Sequence, residues 1–467
     1  MPIRTAALTA LAIFSVSLGN AQSEPPQADG ASAPSSVALA EPVEPAALDH
    51  LRLFLRLLKG ENVELHESLF TSAMRHRMPV EELGDAFRKL GAMNGGYANL
   101  GIIDHGPGII TTVISARATE ARARLSIMYE TEGFMRIDGV LMHPDLPAYD
   151  SWAQFTESLE GSGTDASVSI AEILDDGSAE TLFSFKEDRS LAIAYHARLF
   201  VLDALREKIA SGEADWLDTL QIHEDHKSLA PGKTLAAEEG SSLTLAQLAR
   251  RMMSDGDHSA NDHLFYELGR ERIEREMSER VASIARNIPF LSTREAFNIR
   301  LILTEKYINE WANRDDAGQR ELLNEIDQIV VADAVYQTWR LPVAVPVVGW
   351  FASAKELNDL FVDLYLDGRT QRQVTLGGII NELLPAPVDA TVWPSSKIFT
   401  SIEPGIIAST WLLAHRDGRL FVMSAVFNNP EKQISAADAG ALLIAAAETL
   451  GRTTERFEFE DMDPPSP

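Results

Sequence analysis

Two side chains that could share proton chemistry stand three residues apart at the start of one apolar segment. Tyr195 and Arg198 open the stretch 195–209, whose apolar residues recur at helical spacing. These residues are Leu199, Leu202, Leu205 and Ile209. Residues i and i+3 share a helix face, so the phenol and the guanidinium should be neighbours. Because a nearby cation lowers the pKa of a phenol, Tyr195 could serve as a nucleophile or a base.

A second polar group follows in a short loop between two predicted helices. Thr244 and Gln247 have the spacing of a capping box, which starts one of these helices. The loop 254–258 comes before the next helix and can aim Asp257 and His258 into a cleft. His258 would then be placed to accept a proton from Tyr195.

The third group lies in a predicted strand near the C-terminus. The segment Trp393–Gly405 precedes two apolar strands, 406–413 and 420–428, which an Asp-Gly pair joins as a hairpin. Its central residues are Phe399, Thr400, Ser401 and Ile402. Lys397 lies two residues before Phe399, so both side chains should share one face of the strand.

Together these segments resemble the catalytic part of class A β-lactamases and their serine-hydrolase relatives. In that family the motifs are SxxK at the start of a buried helix, SDN in a loop, and KTG or KGG on a strand. The matching positions here are Tyr195 and Arg198, then Gly256, Asp257 and His258, then Phe399, Thr400 and Ser401. The resemblance also implies oxyanion donors at the backbone amides of Tyr195 and Ile402.

The resemblance implies an acyl-transfer site in which the reacting groups are replaced. A tyrosine hydroxyl lies several ångströms farther from the backbone than a serine hydroxyl and would overshoot the substrate carbonyl. Arg198 has a pKa above about 12 and cannot act as a base, and Gly256 has no hydroxyl to relay a proton. None of the ten lysines has a serine three positions before it, so no other SxxK exists.

Two functions follow from this pattern. The first is an exported β-lactamase-like protein that has lost hydrolysis and binds a small-molecule ligand or a partner through Tyr195, Arg198, Asp257, His258 and Ser401. In its simplest form, Arg198 forms a salt bridge with Asp257 and Tyr195 fills the former substrate space. The alternative is an active β-lactamase or esterase that uses unusual residues in the same cleft.

Composition limits the partners and the location. The 467 residues carry a formal charge of -28, which argues against binding the phosphate backbone of nucleic acids. The chain has no cysteine, so disulfides and thiol catalysis are excluded. Residues 1–21 have the charged start, apolar middle and small-residue end of a signal peptide cut after Ala21, which predicts a periplasmic or secreted protein. The apolar run is too short to span a membrane.

The predicted fold class is α+β with two domains. After a disordered leader, 22–45, residues 46–150 should form a small domain with helices at 46–59 and 80–90 and strands at 108–115, 121–129 and 134–141. This order resembles a ketosteroid-isomerase-like cone, to which no chemistry is assigned. A linker at 151–165 leads to the β-lactamase-like domain at 166–452, with a sheet built from both ends of the domain under a helical block, and then to an acidic tail at 453–467.

Two further clusters of polar residues are predicted to have structural rather than functional roles. His223 and His226 flank two carboxylates, but their spacing and loop context favour a solvated turn over a metal site. Glu295 follows Ser292 at the spacing of a helix start, which favours a structural role. No cofactor is expected.

Overall fold

A computed structural model describes residues 43–460 except 72–73, 76–77, 107, 119–121, 130–134, 146–148, 230–231, 303–304, 327–338 and 390–391. The predicted signal peptide, most of the leader and the last residues of the predicted tail lie outside this range. The chain divides into two units between Asp145 and Leu146. Within the described part, no helix combines the length and hydropathy that a membrane span requires.

The first unit consists of helices and a four-stranded antiparallel sheet. The helices are α1 (Pro45–Leu58) and α2 (Val80–Met93), and the strands are β1 (Tyr97–Gly106), β2 (Ile109–Ala116), β3 (Arg122–Tyr129) and β4 (Ile137–Pro144), in the order β1-β2-β3-β4. Helical spacing buries Phe54 of α1 against Phe87 of α2, with ring centroids 4.9 Å apart. The sequence did not predict β1, because two bulges interrupt its pairing with β2 and obscure its alternation.

The second unit is built on a five-stranded antiparallel sheet. Its strands are β5 (Asp165–Ile173), β6 (Ala179–Phe185), β11 (Ser395–Glu403), β12 (Ile406–Ala414) and β13 (Leu420–Asn428), in the order β11-β12-β13-β5-β6. Two strands thus come from the start of the unit and three from its end. The predicted α+β sheet from both ends of the domain, and the predicted hairpin, are confirmed.

Shorter elements and a helical block lie between the two groups of strands. They are β7 (Leu191–Ala192), α4 (Arg198–Ala210), β8 (Thr219–Gln221), β9 (Ser242–Thr244), α5 (Leu245–Ser254), α6 (His258–Leu268), α7 (Arg270–Ser278), α8 (Thr293–Phe297), α9 (Glu305–Asn313), α10 (Asp316–Ile326), β10 (Phe351–Ala352), α11 (Ala354–Gly368) and α12 (Val374–Asn381). Every residue of α4 from Arg198 to Arg206 is buried, as expected for a helix surrounded by others.

The predicted linker contains a helix that belongs to the core, so that prediction is wrong. Helix α3 (Trp152–Gly161) begins at the N-cap Ser151 and buries Phe155 and Leu159 against the sheet face opposite the helical block. Trp152, Phe155 and Leu159 are the large apolar residues of this helix that pack toward the sheet, and polar residues separate them. This short pattern does not reveal a helix without the sheet that covers it.

The C-terminal helix runs beyond its predicted end. Helix α13 (Ala436–Glu460) continues into the segment predicted as an acidic tail, since no proline follows before residue 464. Its apolar residues pack with α3 against the same sheet face. The five-stranded sheet is therefore covered on both faces, with the candidate site on the side of the helical block.

Candidate functional site

Tyr195 lies in a 3-10 turn that leads into the buried helix α4. The turn spans Ala194–Ala197, and Arg198 is the first residue of α4, so the predicted helix begins one turn later than expected. Ala194 has a φ of 49°, which is left-handed backbone that an alanine rarely adopts. The backbone hydrogen bond from Ile193 N to Trp350 O, 2.9 Å long, fixes the approach to this turn.

The Arg198 guanidinium is buried and donates to three neutral acceptors. Nη1 donates to the carbonyl of Met252 at 3.2 Å, and Nη2 donates to the carbonyl of Gly256 at 2.9 Å and to Nδ1 of His258 at 2.8 Å. The side chain therefore connects the start of α4 to the end of α5 and the loop after it. A guanidinium provides several donors in one plane, which suits this cross-link better than a lysine would.

Asp257 does not form the predicted salt bridge with Arg198. It is fully buried as the N-cap of α6, where its Oδ1 accepts from the Ala260 amide at 2.9 Å. Its Oδ2 accepts from the Thr234 amide at 2.8 Å. The carboxylate thus caps a helix and ties the loop around residue 234 to it, and an ion pair with Arg198 is not among the contacts of these described residues.

His258 is held as a neutral acceptor. It is buried, and burial, followed by the charge of Arg198, lowers its pKa well below the usual value. Because Arg198 donates to Nδ1, the ring proton must be on Nε2. The Tyr195 ring packs edge-on against this imidazole with centroids 4.5 Å apart, and the ring of Phe297 lies 5.9 Å from that of Tyr195. The Tyr195 ring therefore packs against both His258 and Phe297.

His196 is part of the site, although no motif in the sequence predicted a role for it. Its Nδ1 lies 3.1 Å from Ser401 Oγ on β11, and its Nε2 lies 3.1 Å from Thr410 Oγ1 on β12. The imidazole is fully buried, and burial, then the charge of Arg198, lowers its pKa to about 3. In the sequence, only its position next to Tyr195 indicated that His196 could belong to the site.

The strand β11 presents only some of its predicted site residues to Tyr195 and its neighbours. Ser401 faces His196, and Phe399 packs in the core with its ring 4.6 Å from that of His196. Thr400 Oγ1 lies 2.6 Å from Ser409 Oγ on the other sheet face, where Ile402 packs with α3 and α13. Strand alternation therefore turns the side chains of Thr400 and Ile402 away from His196, so they do not line the site around Tyr195, whereas the role that the resemblance implies for Ile402 belongs to its backbone amide.

Two charged residues of β11 have structural partners. Lys397 Nζ donates to the carbonyls of Asn381 at 2.5 Å and Leu383 at 3.4 Å, at the end of α12. Glu403 forms a fully buried ion pair with Arg300, although burial raises the pKa of its carboxyl. Lys397 is thus bound at the end of a neighbouring helix.

A small pocket lies between Tyr195 and the helices α4 and α6. Its polar lining residues are Tyr195, Arg198, Asn261 and Thr293, and the remaining ones are apolar. Its empty volume is about 200 Å³ even with space open to solvent included, below the roughly 300–1,000 Å³ of small-molecule sites. The pocket has room for about one water molecule.

The residues of the two clusters around His226 and Glu295 make contacts within turns and at a helix start. His226 lies in a 3-10 turn and stacks on Tyr266 with centroids 4.1 Å apart, and His263 accepts from the His223 amide. Among the described residues, no group of histidines and carboxylates has metal-binding geometry. Glu295 completes a capping box with Ser292 at the start of α8.

Comparison with known proteins agrees with this fold. Residues 151–301 match the model of the family described as "Beta-lactamase enzyme family". The matched segment includes Tyr195, Arg198 and the loop at 256–258. This segment belongs to the β-lactamase-like serine hydrolase superfamily. No protein of curated function matches the chain significantly.

Solved structures with similar folds include several β-lactamases. The enzyme from Sphaerobacter thermophilus is 16% identical, with 64% of this chain and 97% of that chain covered and a TM-score of 0.44. Those from Chitinophaga pinensis and Burkholderia vietnamiensis are 10% and 13% identical, with TM-scores of 0.45 and 0.42. The comparisons with these two structures cover 66% and 65% of this chain, respectively, and 100% of each of the other chains.

Proposed function

We propose that this protein is a catalytically degenerate member of the β-lactamase-like superfamily that acts by binding rather than by hydrolysis. The observation that carries the proposal is the state of Arg198, which is buried and donates to two backbone carbonyls and to His258. A group bound in this way stabilises a loop and cannot remove a proton. Tyr195 packs beside it, and the pocket that these two residues line with Asn261 and Thr293 is too small for a β-lactam.

Binding in this cleft would require Tyr195 to move. A small-molecule ligand would displace the ring from His258 and Phe297, and it would then meet Arg198, a group suited to carboxylates. A protein partner could instead cover the cleft without entering it. Both modes of binding leave the hydrogen bonds from Arg198 to the loop at 256–258 unchanged.

The test is an assay of the purified mature protein with a chromogenic cephalosporin, a short-chain nitrophenyl ester and a fluorescent penicillin. We expect no turnover above buffer and no mass increase in the intact protein after incubation. An active class A β-lactamase and its serine-to-alanine variant provide the positive and negative controls. Turnover that is lost in Tyr195→Phe would contradict the proposal.

A set of substitutions that restores the residues of the family motif tests whether this fold still supports acylation. Tyr195→Ser, Arg198→Lys and Gly256→Ser return the hydroxyls and the amine to their family positions. The sequence alone also suggested Phe399→Lys, but Phe399 is buried in the core, where an unpaired ammonium is costly. Gly256 has a φ of 68°, so its serine variant carries backbone strain and a stability measurement must accompany it.

One contact favours the alternative that the chain is an esterase. Ser401, His196 and Thr410 form a chain of hydrogen bonds in which a hydroxyl, an imidazole and a second hydroxyl have the order of a nucleophile, a base and an orienting group. Both Ser401 and His196 are buried, however, and a pKa of about 3 makes His196 a weak base. Ester hydrolysis that survives Tyr195→Phe and disappears in Ser401→Ala would establish this function.

We further propose that the protein acts outside the cytoplasm. The support is the signal-peptide pattern of residues 1–21. Expression of the full chain in a bacterium, followed by fractionation and intact mass, tests this. A periplasmic product that begins at Gln22 is the expected result, and an uncleaved cytoplasmic product would contradict it.

A further inference from the structure

Two adjoining surface segments of the second unit each expose a large apolar side chain. Trp216 Nε1 donates to Gln373 Oε1 at 3.1 Å, and this buried hydrogen bond joins the segment before β8 to the start of α12. The next residue in each segment points outward: Leu217 is 76% exposed and Val374 69%. We call Leu217 and Val374 the 217/374 patch.

The exposure of Leu217 is built into a rigid turn. The Leu217 amide donates to Asp215 Oδ1 at 2.9 Å, and the Asp215 amide donates to Asp218 Oδ2 at 2.7 Å. The Trp216 carbonyl accepts from the Ala246 amide at 3.0 Å, which fixes the turn to α5. A partner would therefore bind a preformed surface and would lose little conformational entropy in ordering it.

The two segments that carry the 217/374 patch also expose charged residues of both signs. Asp215 and Asp218 are exposed on the Leu217 segment, and Arg372 is exposed two residues before Val374. Among the described residues, none of these three side chains forms a salt bridge, whereas the nearby Arg206 and Arg272 each do. Each copy of the chain thus presents an acidic segment beside Leu217 and a basic residue beside Val374.

We propose that two copies of this chain associate through the 217/374 patch about a twofold axis. A twofold axis brings Leu217 of one copy toward Val374 of the other and places the acidic segment opposite Arg372, with each contact made twice. A chain of net charge -28 repels its own copies, so local pairs of opposite charge are needed for close approach. The small patch predicts weak association, with a dissociation constant on the order of micromolar or above.

Sedimentation equilibrium of the full mature chain over a wide concentration range tests the proposal without any substrate. We expect a monomer–dimer equilibrium that Leu217→Asp weakens at least tenfold. Leu341→Asp is the matched control, because Leu341 is 70% exposed elsewhere on the surface and should leave association unchanged. Melting curves of each variant establish that the fold is intact. A chain that is monomeric at every concentration, or a dimer that both variants affect equally, overturns the proposal.

Charge reversal distinguishes this twofold contact from other modes of association. Asp218→Arg and Arg372→Asp should each abolish the homodimer, because each variant places like charges opposite each other. A mixture of the two variants should form a heterodimer, since one contact is then native and the other is reversed on both sides. Glu160→Arg, an exposed reversal on α3, is the control. Failure of the mixture to associate would rule out the twofold arrangement. These results do not depend on whether the protein hydrolyses anything.

Discussion

At the residue scale, Arg198 supports the loop between α5 and α6. A lysine at this position in the family assists proton removal, whereas this guanidinium donates to Met252, Gly256 and His258. Burial, followed by the charge of Arg198, keeps His258 neutral, and the hydrogen bond from Arg198 fixes its ring proton on Nε2. The stability of the loop and the loss of hydrolysis proposed above would therefore both depend on Arg198.

Arg198→Met should destabilise the protein by about 2–4 kcal/mol, because three buried acceptors lose their donor. Arg198→Lys should recover only part of the loss, since an ammonium cannot reach all three acceptors in one plane. Urea unfolding of both variants measures the difference. Equal stability of wild type and Arg198→Met would show that the cross-link contributes nothing.

Asp262 predicts a dependence of stability on pH. It is buried and accepts from the amides of Thr293 and Arg294, yet burial raises its pKa to about 6. In the unfolded chain an aspartate titrates near pH 4, so the native state binds more protons between about pH 4 and 6. Stability should therefore fall as the pH rises through this window, by up to about 2–3 kcal/mol.

The measurement is the free energy of unfolding of wild type and Asp262→Asn from pH 4.5 to 7.5. The variant lacks this titration, and the difference between the two curves isolates it from the other carboxyls. We expect the wild type to lose stability relative to the variant as the pH rises. A difference that does not change with pH would contradict the assignment.

At the scale of elements, α3 is part of the core rather than a connector. Phe155 is fully buried and packs 5.1 Å from the Phe183 ring of β6. Phe155→Ala should cost about 3–5 kcal/mol by leaving a cavity. Glu157→Ala, on the exposed side of the same helix, should change stability by less than about 0.5 kcal/mol. Thermal or urea unfolding compares them, and similar values for both would restore the linker interpretation.

The turn before α4 stores backbone strain. Ala194 adopts a φ of 49°, and a glycine there would remove a penalty of about 1–2 kcal/mol. A glycine also raises the entropy of the unfolded chain and removes a buried methyl group, so Ala194→Gly should change stability by less than about 1 kcal/mol. Ala204→Gly in the middle of α4 removes an equally buried methyl group without relieving strain, so it should destabilise the protein by more. Urea unfolding compares the two variants, and an equal loss of stability in both would show that the turn is not strained.

At the scale of the whole molecule, charge limits what the protein can bind. The formal charge of -28 favours solubility and opposes contact with polyanions. We expect no retardation of duplex DNA in a gel at about 50 mM salt, where phosphate contacts are strong. A retarded band that weakens with added salt would reveal a basic surface that the composition does not suggest.

The sequence by itself determined the fold class, the hairpin near the C-terminus and the segments that carry Tyr195, Arg198 and His258. Tyr195 and Arg198 stand three residues apart at the start of α4, and His258 follows a capped loop between two helices. It also showed that the serine and lysine of the family motif are replaced. These features depend on spacing along the chain and therefore survive in a single sequence.

Only the tertiary structure decided which partners the polar groups take. The carboxylate of Asp257 accepts backbone amides instead of pairing with Arg198, His196 joins β11 and β12 through Ser401 and Thr410, and Thr400 faces away. These contacts join residues distant in sequence. Burial selects among their possible partners, because a buried polar group must find whichever donor or acceptor the packed neighbours provide.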